Sequence, residues 1–251
     1  MKLERNSGIL LHPTSLPDSP VCGSFGKPAR EWLNELAAFG IGVWQFLPLA
    51  PTDSLGSPYS SPSSFALNPW FLDQNDLVRD GFLANNLEDF SSANDCFKNR
   101  VDFHLANSKV KSLRFSLVDD WYKQNRTIQE EFEIWCSKQF WLDDHSIFME
   151  LKIQNNDLPW WEWPDEYAGR DKKELESWKK NNQKELLGHK LLQWHLDRQW
   201  QSIRELAKNL GIYLFGDVPF YVSKDSADVW GNRSLFSVSY THLTLPTNRE
   251  V

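Results

Sequence analysis

The sequence predicts an α/β protein built on parallel strands, and three observations carry that reading. The first is the stretch Gly211 to Trp230, GIYLFGDVPFYVSKDSADVW. Ile212, Tyr213, Leu214 and Phe215 form a short apolar run of buried-strand type behind a glycine. The run ends at Gly216-Asp217, ahead of Val218-Pro219, where a proline with no N–H to donate closes the ladder. The second is the order strand, loop, helix, strand at the start of the chain, which implies parallel pairing through a right-handed crossover. The third is Leu186 to Leu210, where Leu192, Leu196, Trp200, Ile203, Ala207 and Leu210 step along one helical face that Gly211 stops. That helix hands the chain directly to the strand at Ile212.

The other elements follow in order. Gly8 to Leu11 is an apolar run of strand length, followed by the loop His12-Pro13-Thr14-Ser15-Leu16-Pro17. Pro28 to Phe39 reads as a helix, with Pro28 in its first turn, Gly40 at its C-terminal cap, and Trp32, Leu33, Leu36, Ala37 and Phe39 as its apolar face. Ile41 to Leu47 is the second strand and Pro48 ends it. Leu49 to Trp70 is rich in Ser, Pro and Gly but carries Tyr59 and Phe65, so it reads as a shaped loop over a site rather than a linker. Leu72 to Leu210 is mostly helical. Asp73 caps a short helix ending near Gly81, and Val101 to Tyr122 and Ile128 to Leu151 carry helical stripes. Leu158 to Pro164 (LPWWEWP) breaks the pattern. Lys172 to Lys180 is a charged, solvated helix.

Composition narrows the function. The chain has 251 residues, 41% hydrophobic and 24% charged, which is globular rather than disordered. No apolar run reaches membrane-spanning length. A net charge of −7 without a basic block argues against nucleic acid as a partner. Cys22, Cys96 and Cys136 are an odd, scattered set that fits neither a disulfide framework nor a metal site. With no secretory core or transit character at the N-terminus, the expected location is the cytoplasm.

The candidate site residues sit at strand tips and in the long loop. Barrel enzymes place their chemistry on groups such as Asp217, at the C-terminal end of a buried strand. A turn-capping aspartate is the competing reading, and this stretch alone leaves both open. Asp225, Ser226 and Asp228 follow within one loop-and-turn distance. His12 stands at the tip of the first strand, where a structural, hydrogen-bonded histidine is the commoner outcome. Tyr59 offers a stacking face and a hydroxyl, which suit a sugar ring. Thirteen Trp and 14% aromatics point the same way, although core packing accounts for most such residues. For Trp160, Trp161 and Trp163 a packed hinge is favoured over a sugar platform.

Four segments carry a family resemblance: Gly8 to Pro17 (GILLHPTSLP), Trp44 to Leu49 (WQFLPL), Ser57 to Tyr59 (SPY) with Phe65 to Pro69 (FALNP), and Gly211 to Trp230. Together they resemble the 4-alpha-glucanotransferases, the amylomaltases or disproportionating enzymes of glycoside hydrolase family 77. The likeness runs from Ser7 to about Phe236 and is weakest in the helical region, where only the pair Gln199-Trp200 matches. It implies a (β/α)8 TIM barrel of the alpha-amylase superfamily with a long helical insertion between strands 2 and 3. It also implies transfer of α-1,4-glucan segments to an acceptor glucan or glucose, with retention, through a carboxylate nucleophile and a second carboxyl as acid and base. No cofactor or metal is implied. By position, Asp217 resembles the aspartate that contacts the donor glucose, and Ser57 and Tyr59 resemble the loop residues lining the glucan site. His12 and Trp44 lie in matched motifs without an assigned contact.

The departures matter as much as the match. The family's nucleophile, acid/base and stabilising carboxylates follow strands four, five and seven, and no segment here resembles theirs. The incomplete barrel is therefore expected to lack the catalytic residues, to be inactive alone, and to leave open sheet edges. The stretch Ser239 to Val251 resembles translated vector sequence and is set aside. The expected division is 1–70 for the first barrel strands and substrate loop, 71–185 for the helical insertion, 186–238 for the helix and third strand, and 239–251 for a non-native tail. Two alternatives use the same residues: an α-glucan hydrolase of the same superfamily, and a non-catalytic glucan-binding fragment.

Overall fold

The computed structural model describes residues 5–17, 21–84 and 101–236. Cys96 and the tail from Ser239 lie outside the described residues. Three short strands, β1 (Gly8–Leu10), β2 (Val43–Gln45) and β3 (Tyr213–Phe215), form one sheet in the order β1-β2-β3. Both pairings are parallel, with Val43 opposite Gly8 on one side and Tyr213 on the other. Between β1 and β2 runs helix α1 (Lys27–Ala38), with Pro28 in its first turn and Gly40 at φ +69° just past its end. The strand–helix–strand reading of the opening therefore holds, with strands shorter than the apolar runs that announce them.

Between β2 and β3 the chain is helical. The elements are α2 (Gln74–Arg79), α3 (Phe103–Trp121), α4 (Arg126–Ser137), α5 (Leu142–Gln154), α6 (Asp165–Ala168), α7 (Lys172–Asn181) and α8 (Gln183–Asn209). A last short helix, α9 (Ala227–Gly231), follows β3. Asp73 caps α2 by accepting from the Asp76 N–H, as its position predicts. The stripe over Ile128 to Leu151 is two helices, α4 and α5, because the chain leaves the helix after Ser137 and re-enters it at Leu142. No Gly or Pro marks that break. Both pieces return to α8, α4 through Phe132 against Trp194 and α5 through Glu150 against His189.

The main core joins the sheet to the helices. Trp44 at the centre of β2 is fully buried, and its indole N–H donates to the Leu11 carbonyl at 2.7 Å. Leu33 and Leu36 of α1, Phe71, Leu113 of α3, and Leu196 and Ile203 of α8 pack in the same cluster. Trp200 lies across Phe25 and Phe46, with ring centroids 4.9 and 5.6 Å away. A second cluster gathers Phe148 of α5, Trp160, Trp163, Trp178 of α7 and the fully buried Trp230 of α9. Trp160 and Trp163 are thus packed, whereas Trp161 stays exposed beneath the Lys224 ammonium, 4.2 Å from its ring. Helix α7 is less solvated than its charge suggests, because Leu175 and Trp178 are buried.

Three expectations need correcting. The strands β1 and β3 read as buried, yet Leu10 is 56% and Phe215 60% exposed. Each has a hydrogen-bonded neighbour on one edge only, whereas β2, paired on both edges, keeps Trp44 fully buried. Phe39, assigned to the apolar face of α1, is exposed because it falls at the C-terminal cap, beyond the helical stripe; Ala29 takes its place in the core. The α8 face is wider than its aliphatic stripe, since His189, Gln193, His195 and Gln199 are also buried.

Those polar residues make α8 sensitive to acid. The Arg114 guanidinium of α3 donates to Glu150 Oε2 of α5 at 2.5 Å, and His189 Nε2 lies 3.0 Å from the same oxygen. Gly188 is required there, because a Cβ would stand 2.6 Å from Arg114 Cγ. Burial pushes the Glu150 carboxyl up, but the hydrogen bond from His189 and the Arg114 charge outweigh it and hold it at about 2. Burial lowers His145 and His195 to about 3 each. A histidine lowered on folding contributes stability that is complete above pH 6.5 and lost as pH falls towards its folded value; the Glu150 contribution is lost between about 4.5 and 2. Each of His145 and His195 is therefore expected to cost about 2 kcal/mol at pH 5 relative to pH 7. Thermal melts from pH 7 to pH 4.5 should show a falling Tm, with a shallower slope in His195→Leu. A Tm that stays level from pH 7 to pH 5 would contradict this.

Candidate functional site

The three strands point their C-terminal ends the same way, so His12, Phe46 and Asp217 mark one end of the sheet. The loop after β2 is built by its own polar residues. The Asp53 carboxylate accepts from the N–H groups of Leu55 and Ser57 at 3.0 and 2.8 Å, closing a turn in which Gly56 sits at φ +84°. Ser57 caps the following single turn (Pro58–Ser60), its Oγ accepting from the Tyr59 N–H at 3.3 Å. At the loop's base the Asn68 N–H donates to the Leu49 carbonyl at 2.8 Å.

Two glutamines of α8 fix this loop from below. The Gln193 side chain accepts from the Leu67 N–H at 2.9 Å and donates to the Leu67 carbonyl at 2.8 Å. The Gln199 side chain does the same with Asp73, at 2.9 Å in both directions. Each is a primary amide matched to a peptide group, so donor and acceptor are both satisfied away from water. A second tie comes from beyond β3, where the Ala227 N–H donates to Pro62 O at 2.9 Å and the Ser64 N–H to Asp228 Oδ2 at 2.8 Å.

These ties bring Tyr59 and Asp217 together across 158 residues of chain. The phenol Oη donates to Asp217 Oδ2 at 2.6 Å. That hydrogen bond, with the carboxylate charge, raises the Tyr59 pKa above the ordinary phenol value. Tyr59 remains 45% exposed, which leaves an aromatic face beside a solvent-exposed carboxylate. Ser57 is half-buried and spends its oxygen on the turn that presents Tyr59, while its hydroxyl proton is free to donate. The three residues named from the sequence therefore share one place.

The other candidates are structural. His12 packs edge-on against Phe71, with ring centroids 5.6 Å apart, and burial lowers it to about 4, so it is neutral near pH 7. Trp44 is closed inside the core. Asp225 accepts from Lys152 Nζ at 2.6 Å, and Ser226 caps α9 through the Val229 N–H. Asp228 holds the Ser64 turn, and burial raises its pKa. Gln193 and Gln199 were not legible as site-shaping residues, although two amides on a buried helical face are a signal that backbone partners must exist. Among the described residues no three His, Cys, Asp or Glu side chains gather as a metal site, and no helix is long and apolar enough to cross a membrane.

Comparison with known proteins identifies relatives of the chain. A family profile described as 4-alpha-glucanotransferase matches residues 11–246, extending into the stretch set aside from Ser239. A Synechocystis 4-alpha-glucanotransferase is 38% identical over 93% of the chain and 46% of its own length. The Thermus thermophilus 4-alpha-glucanotransferase is 37% identical over 94% of the chain and 46% of its own length. Among solved structures, the Streptococcus agalactiae amylomaltase in complex with acarbose superposes with a TM-score of 0.85 at 29% identity, covering 93% of this chain and 47% of that one. The chain spans about half the length of the curated relatives it matches.

The Tyr59–Asp217 bond is directly measurable. In carbon NMR of labelled tyrosine, the Tyr59 phenol is expected to titrate above the ordinary phenol value, and Asp217→Asn should lower it. A Tyr59 titration unchanged by Asp217→Asn would show that the bond does not form in solution.

Proposed function

Because the chain belongs to glycoside hydrolase family 77, the 4-alpha-glucanotransferases, we propose that Ser57, Tyr59 and Asp217 form the sugar-gripping part of an α-1,4-glucan transfer site. The fold is the first part of a (β/α)8 barrel of the alpha-amylase superfamily, with the helical stretch inserted between its second and third strands. The 2.6 Å bond from Tyr59 to Asp217 carries the reading, because it sets a ring face and a carboxylate side by side at the strand tips. A glucose ring has C–H faces for the former and hydroxyl donors for the latter. The Asp217 carboxylate accepts two sugar hydroxyls once Tyr59 yields, and charge-assisted bonds of this kind are roughly twice as strong as neutral ones.

The chemistry of transfer requires more than grip. A retaining mechanism needs a nucleophilic carboxylate and an acid/base carboxyl about 5 Å apart. Asp217 is bonded to a phenol and has no carboxylate partner among the described residues. Asp225 and Asp228 are spent on Lys152 and on the Ser64 N–H. The role of these residues in the reaction is thus to hold and orient the glucan, and the described residues alone are expected not to carry out transfer. α-1,4-Glucans are the proposed partners. The proposed location is a reducing compartment such as the cytoplasm, in keeping with the free thiols of Cys22 and Cys136.

Titration calorimetry with maltoheptaose tests the grip. Binding heat is expected, with affinity lowered about tenfold in Tyr59→Ala and in Asp217→Asn, or about 1.4 kcal/mol each. Absence of heat, or variants that bind as well as the parent, would remove the reading. In parallel, maltotriose incubated with the chain alone should yield no longer or shorter oligomers, and turnover would contradict the assignment of a holding role.

A further inference from the structure

A cavity of about 300 Å³ lies between α2 and α8, and neither Tyr59 nor Asp217 lines it. His195 of α8 forms part of its wall. The side chain is 2% exposed, and its Nδ1 is buried without a hydrogen-bond partner. Ring contacts with Phe82 and Trp194, at centroid distances of 4.6 and 4.7 Å, fix its orientation. Burial lowers it to about 3, so near pH 7 the neutral ring carries one donor and one acceptor. A buried polar group left unpaired costs about 1–3 kcal/mol. Such a group in the wall of a cavity points to something that fills it.

The other lining groups decide the chemistry of the occupant. Leu77 is the one wholly apolar residue among them, so an apolar molecule gains little there. Three carboxylates, those of Asp76, Asp80 and Glu205, oppose an anion, and the guanidiniums of Arg79 and Arg198 oppose a metal cation. Asp76 is already bound by Arg30 and Arg79, and Arg79 also reaches Asp80. Arg198 lies over the Phe82 ring at 4.3 Å, and neither it nor Glu205 has an ion-pair partner among the described residues. A free donor fork and a free acceptor pair thus flank a neutral imidazole. A hydroxyl group both donates and accepts, so neighbouring hydroxyls on one ring answer all three, and bonds to the charged groups are the stronger ones. We propose that this cavity is a binding site for a small, neutral polyhydroxyl compound of the monosaccharide class, whose hydroxyls bridge His195 to Arg198 and Glu205. The site is separate from the glucan grip at Tyr59 and does not depend on it. Gln199, whose amide clamps Asp73 at the start of α2, lines the same cavity, so an occupant braces α2 against α8.

Titration of D-glucose into the full 251-residue chain, followed through the ring signals of nitrogen-labelled histidine, tests this. A saturable shift of the His195 signal is expected. Arg198→Ala and Glu205→Ala should each weaken the affinity roughly tenfold, as loss of a hydrogen bond to a charged group does. Both positions are exposed, so the Tm of the free chain should hold. If Arg198→Ala lowers the Tm, Glu205→Gln, which keeps the shape of the side chain, takes its place. Tyr59→Ala should leave the shift intact, which separates this site from the glucan grip. No shift with glucose, a shift indifferent to Arg198 and Glu205, or a shift lost in Tyr59→Ala would each overturn the proposal. A stronger response to sodium phosphate or to glycine than to glucose would overturn it as well.

Discussion

The paired amide bonds between α8 and the loop after β2 are the constraint on which the site depends. A loop rich in Ser, Pro and Gly has many conformations, and ordering it costs about 1–2 kcal/mol per residue in backbone entropy. Gln193 and Gln199 oppose that cost at two points, Leu67 and Asp73, by replacing water with matched donors and acceptors. Without them the Leu67 peptide group and the Asp73 N–H would lose these partners, while the Asp73 carbonyl would keep only the Leu77 N–H. With them, the turn that carries Tyr59 is held at the level of the third strand, and the phenol reaches Asp217.

Helix α8 does this because it is itself immobilised from several sides. Its aliphatic face is buried under the sheet core, and His189 ties it to α3 and α5 through Arg114 and Glu150. A buried ionic cluster of this kind contributes little net stability, but breaking it leaves a charge unpaired and costs about 3–5 kcal/mol. The helical insertion is thus the support that fixes the height and angle of α8. The second cluster, around Trp230 and Phe148, plays the matching part for the segment beyond β3, pinning the turn at Asp228 against the loop after β2.

The sequence disclosed the elements better than their surroundings. Glycines and caps set the ends: Gly40, Gly81 and Gly211 all lie at positive φ where helical segments stop, and Asp73 caps α2 as its position indicates. Residue types also singled out two groups that lie together, since a Tyr in a shaped loop and an Asp at a strand tip are hydrogen-bonded partners. Burial of the outer strands was not legible, because an apolar run says that a strand is suited to burial and not whether anything covers it. The break between α4 and α5 was hidden because no Gly or Pro marks it; the helices part where each returns to α8. Gln193 and Gln199 were hidden for a different reason: an amide that clamps a backbone group looks the same in sequence as one facing water.

Hydrogen exchange at the Leu67 and Asp73 amides tests the account most directly. If α8 holds the loop, these two N–H groups exchange as slowly as the interior of α8, and Gln199→Ala speeds Asp73 at least tenfold while releasing Tyr59 from Asp217. Amides that exchange at the rate of a free loop, or a Tyr59–Asp217 contact that persists without Gln199, would contradict it.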